Sequence, residues 1–205
     1  MMGIKERRER ERQITRQAIL DAALQIARQD SWSAVTIRKV GEQIEYSGPM
    51  VYEYFANKEA MLLALLQTGF ERLLEAMQQA RIRSDEFEVQ MFDMANAYWD
   101  FAVHNRELYQ LMHGLGGVPL DREATLLAVH DVCDLTQKVL IEWSQEVEIS
   151  LPDPLGATEI IWSLLHGLVS LMLVDRIHDG EQRARNLMQQ AIRDQLAAWK
   201  NKEKS

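Results

Sequence analysis

The chain has 205 residues, 47% hydrophobic and 26% charged, with a formal net charge of -8 at pH 7, which suits one or two globular domains with a substantial buried core. Its single cysteine, Cys133, excludes an internal disulfide framework and a cysteine-based zinc site, and reads as a small buried apolar residue. The first residues are charged and no apolar run follows them, so no signal peptide is expected and the protein is read as cytoplasmic.

The charge is unevenly distributed. Residues 1–58 hold 10 Lys+Arg and 8 Asp+Glu, a net +2, whereas the remainder holds 13 and 23, a net -10. Overall acidity therefore does not exclude a nucleic-acid partner, because phosphate binding depends on where the cations lie. From Lys5 to Arg12 the signs alternate. That pattern suits a solvated helix extension or frayed arm, and equally a phosphate or minor-groove arm bearing Arg7, Arg8, Arg10 and Arg12. A first structured helix is expected from about Glu11 to Gln29, with Ile19, Ala22, Ala23, Ile26 and Ala27 on one apolar face. Residues 30–33 break it, and Trp32 suits a core anchor.

Between Thr36 and Lys58 the spacing predicts two short helices joined by a tight turn. Ile37, Val40, Gly41 and Ile44 fall at i, i+3, i+4 and i+7, with Thr36 placed as N-cap. After Glu45, Tyr46 and Ser47, a second helix is capped by Ser47, tolerates Pro49 in its first turn, and turns Val51, Tyr54 and Phe55 inward. Gly41 lets the two helices approach. Left outside is a row of Gly48, Pro49, Met50 and Tyr52, the part of a helix-turn-helix that enters the major groove. Spacing alone leaves open an ordinary helical hairpin, which any all-helical protein can contain.

From Ile14 to Leu65 the sequence resembles the DNA-binding domain of TetR-family transcriptional regulators. The resemblance rests on the helix-turn-helix and on Tyr52, Tyr54, Phe55 and Lys58, followed by Glu59 and the apolar Met61, Leu62 and Leu63. Gly41 stands where alanine is usual, Ile44, Glu45 and Tyr46 replace the common small-glycine-valine turn, and Gly48-Pro49 replaces a polar residue followed by glycine. These departures bear on the operator more than on the fold. The resemblance implies a DNA-binding domain over 1–58, with 1–12 as a possible arm, and a ligand-binding and dimerisation domain over 59–205. Arg38 matches a position that reaches guanine, whose two major-groove acceptors fit the arginine fork. Gly48, Pro49 and Met50 offer backbone approach and apolar contact to thymine methyls. Thr36, Ser47, Tyr52, Tyr54 and Lys58 are candidate phosphate contacts that set register. Glu53 beside them would reject phosphate or accept from cytosine.

Beyond Asn57, an N-cap, a long helix carries Met61, Leu62, Leu65, Leu66, Gly69, Phe70, Leu73, Leu74 and Met77. Further helices are expected from Ser84 to about His104, from Arg106 to His113, from Asp121 to about Val147, from Asp153-Pro154 to Asp179-Gly180, and on to about Trp199. The fold class is all-α with about nine helices, an N-terminal three-helix helix-turn-helix domain and a C-terminal bundle that dimerises. Ile160 to Val174 is apolar at nearly every position, and is read as too short for a membrane span and as covered by a second subunit.

By resemblance, the last two helices form a two-fold dimer, with Trp162, His166, Leu168, Leu171, Met172, Leu187 and Ala191 at the interface. Trp162, His166 and Gly167 are similar to the tryptophan and histidine-glycine signature of one C-terminal subgroup. Family repressors also bind a small molecule inside this domain. Its candidate lining is Met94, Tyr98, Trp99, Phe101, Leu108, Tyr109, Met112, His113, Cys133, Thr136, Trp162 and His166, a set suited to a hydrophobic or aromatic effector but also to plain core.

The expected partners are thus a palindromic double-stranded operator, a small effector and a second copy of the chain, with no membrane, metal or cofactor. Two other classes compete. A helical-bundle enzyme lacks its motifs: the five histidines supply no repeated Glu-x-x-His, and there is no His-Glu-x-x-His, nucleophile elbow, P-loop or CxxC. A helical adaptor without DNA contact would keep the fold and leave the exposed row without a role.

Overall fold

The computed structural model describes residues 3–202, without the side chains of Ile4 and Lys202. Met1 and Met2 of the possible arm, and 203–205 of the C-terminal domain, lie outside the described residues. Among the described residues the elements are all helical: α1 (Ile4–Gln29), a 3-10 turn (Trp32–Ala34), α2 (Ile37–Gln43), α3 (Gly48–Tyr52), α4 (Lys58–Arg81), α5 (Phe87–His104), α6 (Arg106–Met112), α7 (Arg122–Glu146), α8 (Pro154–Leu173) and α9 (Gly180–Lys202). Backbone packing divides them into two compact units interleaved in sequence, residues up to Gly69 with Glu107–Ala128, and Phe70–Arg106 with Val129 onward.

The first unit is built on α1. It begins at Ile4 rather than near Glu11, because local pairs keep the exposed turns helical: Glu6 accepts from the Gly3 N–H, Arg7 pairs with Glu11 and Gln13 donates to Glu9. Further along, Ile19, Ala22, Ala23, Ile26 and Ala27 are buried on the expected face. The 3-10 turn buries Trp32, whose Nε1 donates to the Glu107 carbonyl over 3.0 Å. Arg28 lies 3.5 Å from the Glu107 carboxylate, and Gly116 packs so closely on the indole that a Cβ there would meet it at 2.6 Å. Trp32 is therefore the anchor its sequence position suggests, with a partner 75 residues away.

α2 packs on α1 and on α3. Ile37, Val40 and Val51 are buried between them, with Phe55 beyond. The approach at Gly41 is to the turn itself: a Cβ would lie 2.7 Å from the Tyr46 carbonyl, and the Tyr46 N–H donates to the Gly41 carbonyl over 2.8 Å. Glu45 takes a left-handed φ of 61° to close this turn. α4 starts with Asn57 accepting from the Ala60 N–H, as a cap should.

In the second unit α8 packs on α9 and α5, and α5 on α9. α5 starts at Phe87, three residues after Ser84, because the Ser84 side chain accepts from the Glu86 N–H and its carbonyl from Gln90, closing a turn before the helix. Asp153 caps α8 as expected, accepting from the Gly156 N–H, with Pro154 in the first turn. α8 stops at Leu173, short of the expected Asp179, where Asp175 adopts φ 53° and the Arg106 guanidinium caps the Leu173 carbonyl. Arg185 ties α9 to Asp100 and Asn96 of α5, and Trp143 and Trp199 pack ring to ring.

Among the described residues α8 is long and apolar enough, by length and composition, to cross a membrane. The expectation of a stretch too short to span counted from Ile160, and the helix begins six residues earlier, so that reason does not hold. Instead α8 behaves as a bundle helix, burying Ala157, Thr158, Ile161, Leu165, Val169 and Leu173 within its unit.

Candidate functional site

The α2–α3 hairpin brings the predicted reading residues onto one motif. Thr36 Oγ1 accepts from the Lys39 N–H over 3.1 Å and fixes the start of α2. A hydroxyl used this way still has its own proton to donate. Arg38 stands out from α2, its Nε 3.0 Å from Glu42 one turn on, and both side chains are exposed. Such a pair contributes about 0.3–0.5 kcal/mol, so little opposes release of the guanidinium to a base.

α3 presents the row. Val51 is fully buried and holds the helix down, while Met50 is 38% and Tyr52 is 55% exposed. Gly48 has open space where a side chain would stand, so an approaching surface can reach the backbone. Ser47 occupies the N-cap position with extended backbone, but its hydroxyl makes no capping bond. Tyr54 lies just past α3 and is half-buried, intermediate between the core and contact roles open to it. Lys58 does not join the row: its Nζ donates to the Trp32 carbonyl over 3.1 Å, and burial lowers its pKa.

The candidate effector residues divide between the units. Met94, Tyr98, Trp99 and Phe101 are buried on α5, and Cys133 and Thr136 half-buried on α7. Burial, then Asp134 and Glu159, raise the Cys133 pKa, keeping it a thiol. Leu108, Tyr109 and Met112 are buried on α6 in the first unit, where the Tyr109 and His113 rings lie 4.3 Å apart. Met112 and Leu108 fill the space beside Gly69 of α4, where a Cβ would meet the Met112 sulfur at 2.5 Å. The Trp99 indole N–H is buried and has no hydrogen-bond partner among the described residues.

The candidate interface residues share a different property, since none is buried within the protomer. Trp162, Leu171 and Leu187 are 37%, 48% and 39% exposed, and His166, Leu168, Met172 and Ala191 are half-buried. Burial lowers the His166 pKa, and its Nε2 is 3.4 Å from Ser170 Oγ. The candidate interface set omits the exposed Ile160 and Val174, which bound the apolar stretch assigned to a second subunit. Their signal was spacing, because Ile160, Gly167, Leu171 and Val174 recur at i, i+7, i+11 and i+14, out of phase with the buried set. No atom of the protomer approaches the Cβ position of Gly167.

Known proteins are similar to this chain in sequence and in fold. Residues 19–65 match the family described as bacterial regulatory proteins, tetR family, and residues 91–195 match the tetracyclin repressor-like C-terminal domain. The HTH-type transcriptional regulator YobS of Bacillus subtilis (strain 168) is 28% identical over 169 residues, 78% of this chain and 79% of that protein. A solved structure from Rhodococcus sp. RHA1 has a TM-score of 0.79 at 22% identity, covering 90% of this chain and 94% of that one. The TetR-family repressor FadR of Thermus thermophilus, solved with lauroyl-CoA, has a TM-score of 0.67 at 15% identity, covering 88% of this chain and 93% of that one. With family matches that together cover more than half of its length, the chain belongs to the TetR family of non-enzymatic, DNA-binding transcriptional regulators.

Proposed function

We propose that the protein is a homodimeric repressor that leaves a palindromic operator when a small hydrophobic ligand binds its C-terminal domain, with the functional boundary at 58/59. The observation that carries this reading is the apolar stripe of Ile160 and Leu171 on α8, Val174 at its C-cap and Leu187 on α9, exposed in the protomer. Covering it with a second copy yields two reading heads, and two-fold symmetry demands a two-fold operator, its half-sites one helical turn or a multiple apart, roughly 34–36 Å.

Within each head Arg38 reads a guanine, and Gly48, Pro49 and Met50 lie against base edges and thymine methyls. Thr36, Ser47, Tyr52 and Tyr54 hold phosphates and fix register. Lys58 spends one of its three N–H donors on the Trp32 carbonyl, which braces the head and leaves two for a phosphate. For the effector, methionines and aromatics favour an apolar body, and the buried Trp99 N–H favours an acceptor on it, since an orphan donor costs about 1–3 kcal/mol. Likeness in fold to FadR, solved with lauroyl-CoA, makes an acyl thioester the first probe. The work of such a protein is in the cytoplasm.

Selection from randomised duplex DNA, with and without lauroyl-CoA and other hydrophobic compounds, tests the reading. The expected result is one enriched palindrome that is lost when a compound binds. Enrichment of an unpaired half-site, or of nothing, rejects it.

A further inference from the structure

In the exposed turns of α1, Arg8 and Arg12 take no part in the local pairs that keep those turns helical. Arg8, Arg12, Thr15 and Ile19 are spaced i, i+4, i+7 and i+11, so the face of α1 that buries Ile19, Ala22 and Ile26 carries guanidiniums where it runs past the body. These two arginines, with Glu11, Thr15, Glu53 and Tyr54, line a groove of about 440 Å³. Glu53 and Tyr54 follow α3 directly, so the groove adjoins the reading helix.

Of the neighbouring groups, Arg7 pairs with Glu11, while Glu9 accepts from Gln13 and Glu6 from the Gly3 N–H. Among the described residues Arg8 and Arg12 make no ion pair. With Glu11 paired to Arg7, two guanidiniums face one unpaired carboxylate, Glu53; the Tyr54 hydroxyl adds a neutral donor, whereas the Thr15 hydroxyl donates to the Glu11 carbonyl over 3.1 Å. Two guanidinium forks and a phenol hydroxyl, opposed by one free carboxylate, suit the singly charged, tetrahedral oxygens of a phosphodiester.

We infer that this groove is a second DNA contact, in which Arg8 and Arg12, with Tyr54, clamp a backbone phosphate flanking the bases read by α3. The inference rests on the DNA-reading function proposed above and extends its footprint to residues no helix-turn-helix supplies. Glu53 opposes the phosphate and limits its affinity, so the carboxylate is a brake built into the same groove.

The test is binding of the intact protein to its selected operator across roughly 50–300 mM salt. The Arg8→Ala/Arg12→Ala variant, whose side chains are exposed and whose fold is checked by circular dichroism, should bind roughly 10- to 100-fold more weakly. Its log–log salt slope should be shallower by about 2 for a dimer that loses one phosphate per head, with the order of base preference unchanged. Glu53→Gln should act oppositely, tightening binding on all sequences. A double variant with the wild-type slope overturns the clamp while leaving the operator reading intact, and so does a loss confined to particular base positions. If the wild type binds no duplex, the reading and the clamp fall together.

Discussion

The row on α3 and the stripe on α8 and α9 are both left uncovered by the protomer, yet they ask for different partners. The α3 row is short and mixes a bare glycine, a proline, a methionine and a phenol, anchored from beneath by Val51 alone. It fits a groove whose edges are polar and whose methyl groups are small. The α8 stripe spans four turns and is aliphatic, with a glycine that nothing in the protomer approaches. It fits a surface like itself. What a protein leaves exposed is therefore informative by its chemistry, since single apolar residues at a surface are ordinary and a continuous stripe is not.

The largest expected effect comes from breaking the head alone. Trp32→Ala removes a fully packed indole and leaves the Glu107 carbonyl without its donor, a loss of about 3–5 kcal/mol. Operator binding should vanish and the head should melt early in a thermal scan. Sedimentation should still give a dimer, because the stripe is untouched. A monomer would mean that the two surfaces are not separable.

The converse variant is Leu171→Glu, which places a charge in the stripe that no partner neutralises, at a cost to association of about 3 kcal/mol per site. The protomer should keep its helical content, since Leu171 is half exposed already. Sedimentation should show monomers, and operator affinity should fall well over 100-fold with them. Retention of the dimer would remove α8 from the interface.

Within the head, Arg38→Ala sharpens the distinction between reading and holding. It should cost about 1–3 kcal/mol on the selected operator and relax one base position per half-site. Removing the Arg38–Glu42 pair should barely change stability, because both partners are exposed. Equal weakening on every sequence would demote Arg38 to a phosphate contact.

The difference between the regions also explains what was legible in the sequence. The helix-turn-helix is written in local spacing, Ile37 to Ile44 and Val51 to Phe55, with Thr36 and Asn57 as caps, and each of these features is satisfied within a few residues. The Trp32 bond to Glu107 and the fit of Gly69 to Met112 join positions far apart in the chain, and no local pattern encodes them. The start of α1 was ambiguous for another reason, since i,i+4 charges that keep a helix in solution look like those of a loose arm until their pairing is visible. The end of α8 was missed because Asp175, not a glycine, takes the left-handed conformation there. The candidate effector residues are the least legible, since methionines and aromatics at helical spacing serve core and cavity alike.

The smallest effect is a matter of pH and concerns the stripe alone. Burial lowers the His166 pKa below its ordinary value near 6.5, so the imidazole is neutral at pH 7. Because the folded pKa is the lower one, the unfolded or separated chain takes up the proton first as the solution is acidified. The stabilising contribution is thus complete above pH 6.5 and is lost as pH falls through the folded pKa. If a partner subunit covers His166 further, the same sign applies to association. Dimer dissociation should rise modestly between pH 7 and 5.5, because the ring is only half-buried and water screens it. His166→Gln should flatten that rise, measured as the difference from wild type so that titrating carboxylates cancel. The salt slope of the head should not change, and a flat profile in the wild type would place His166 outside the interface.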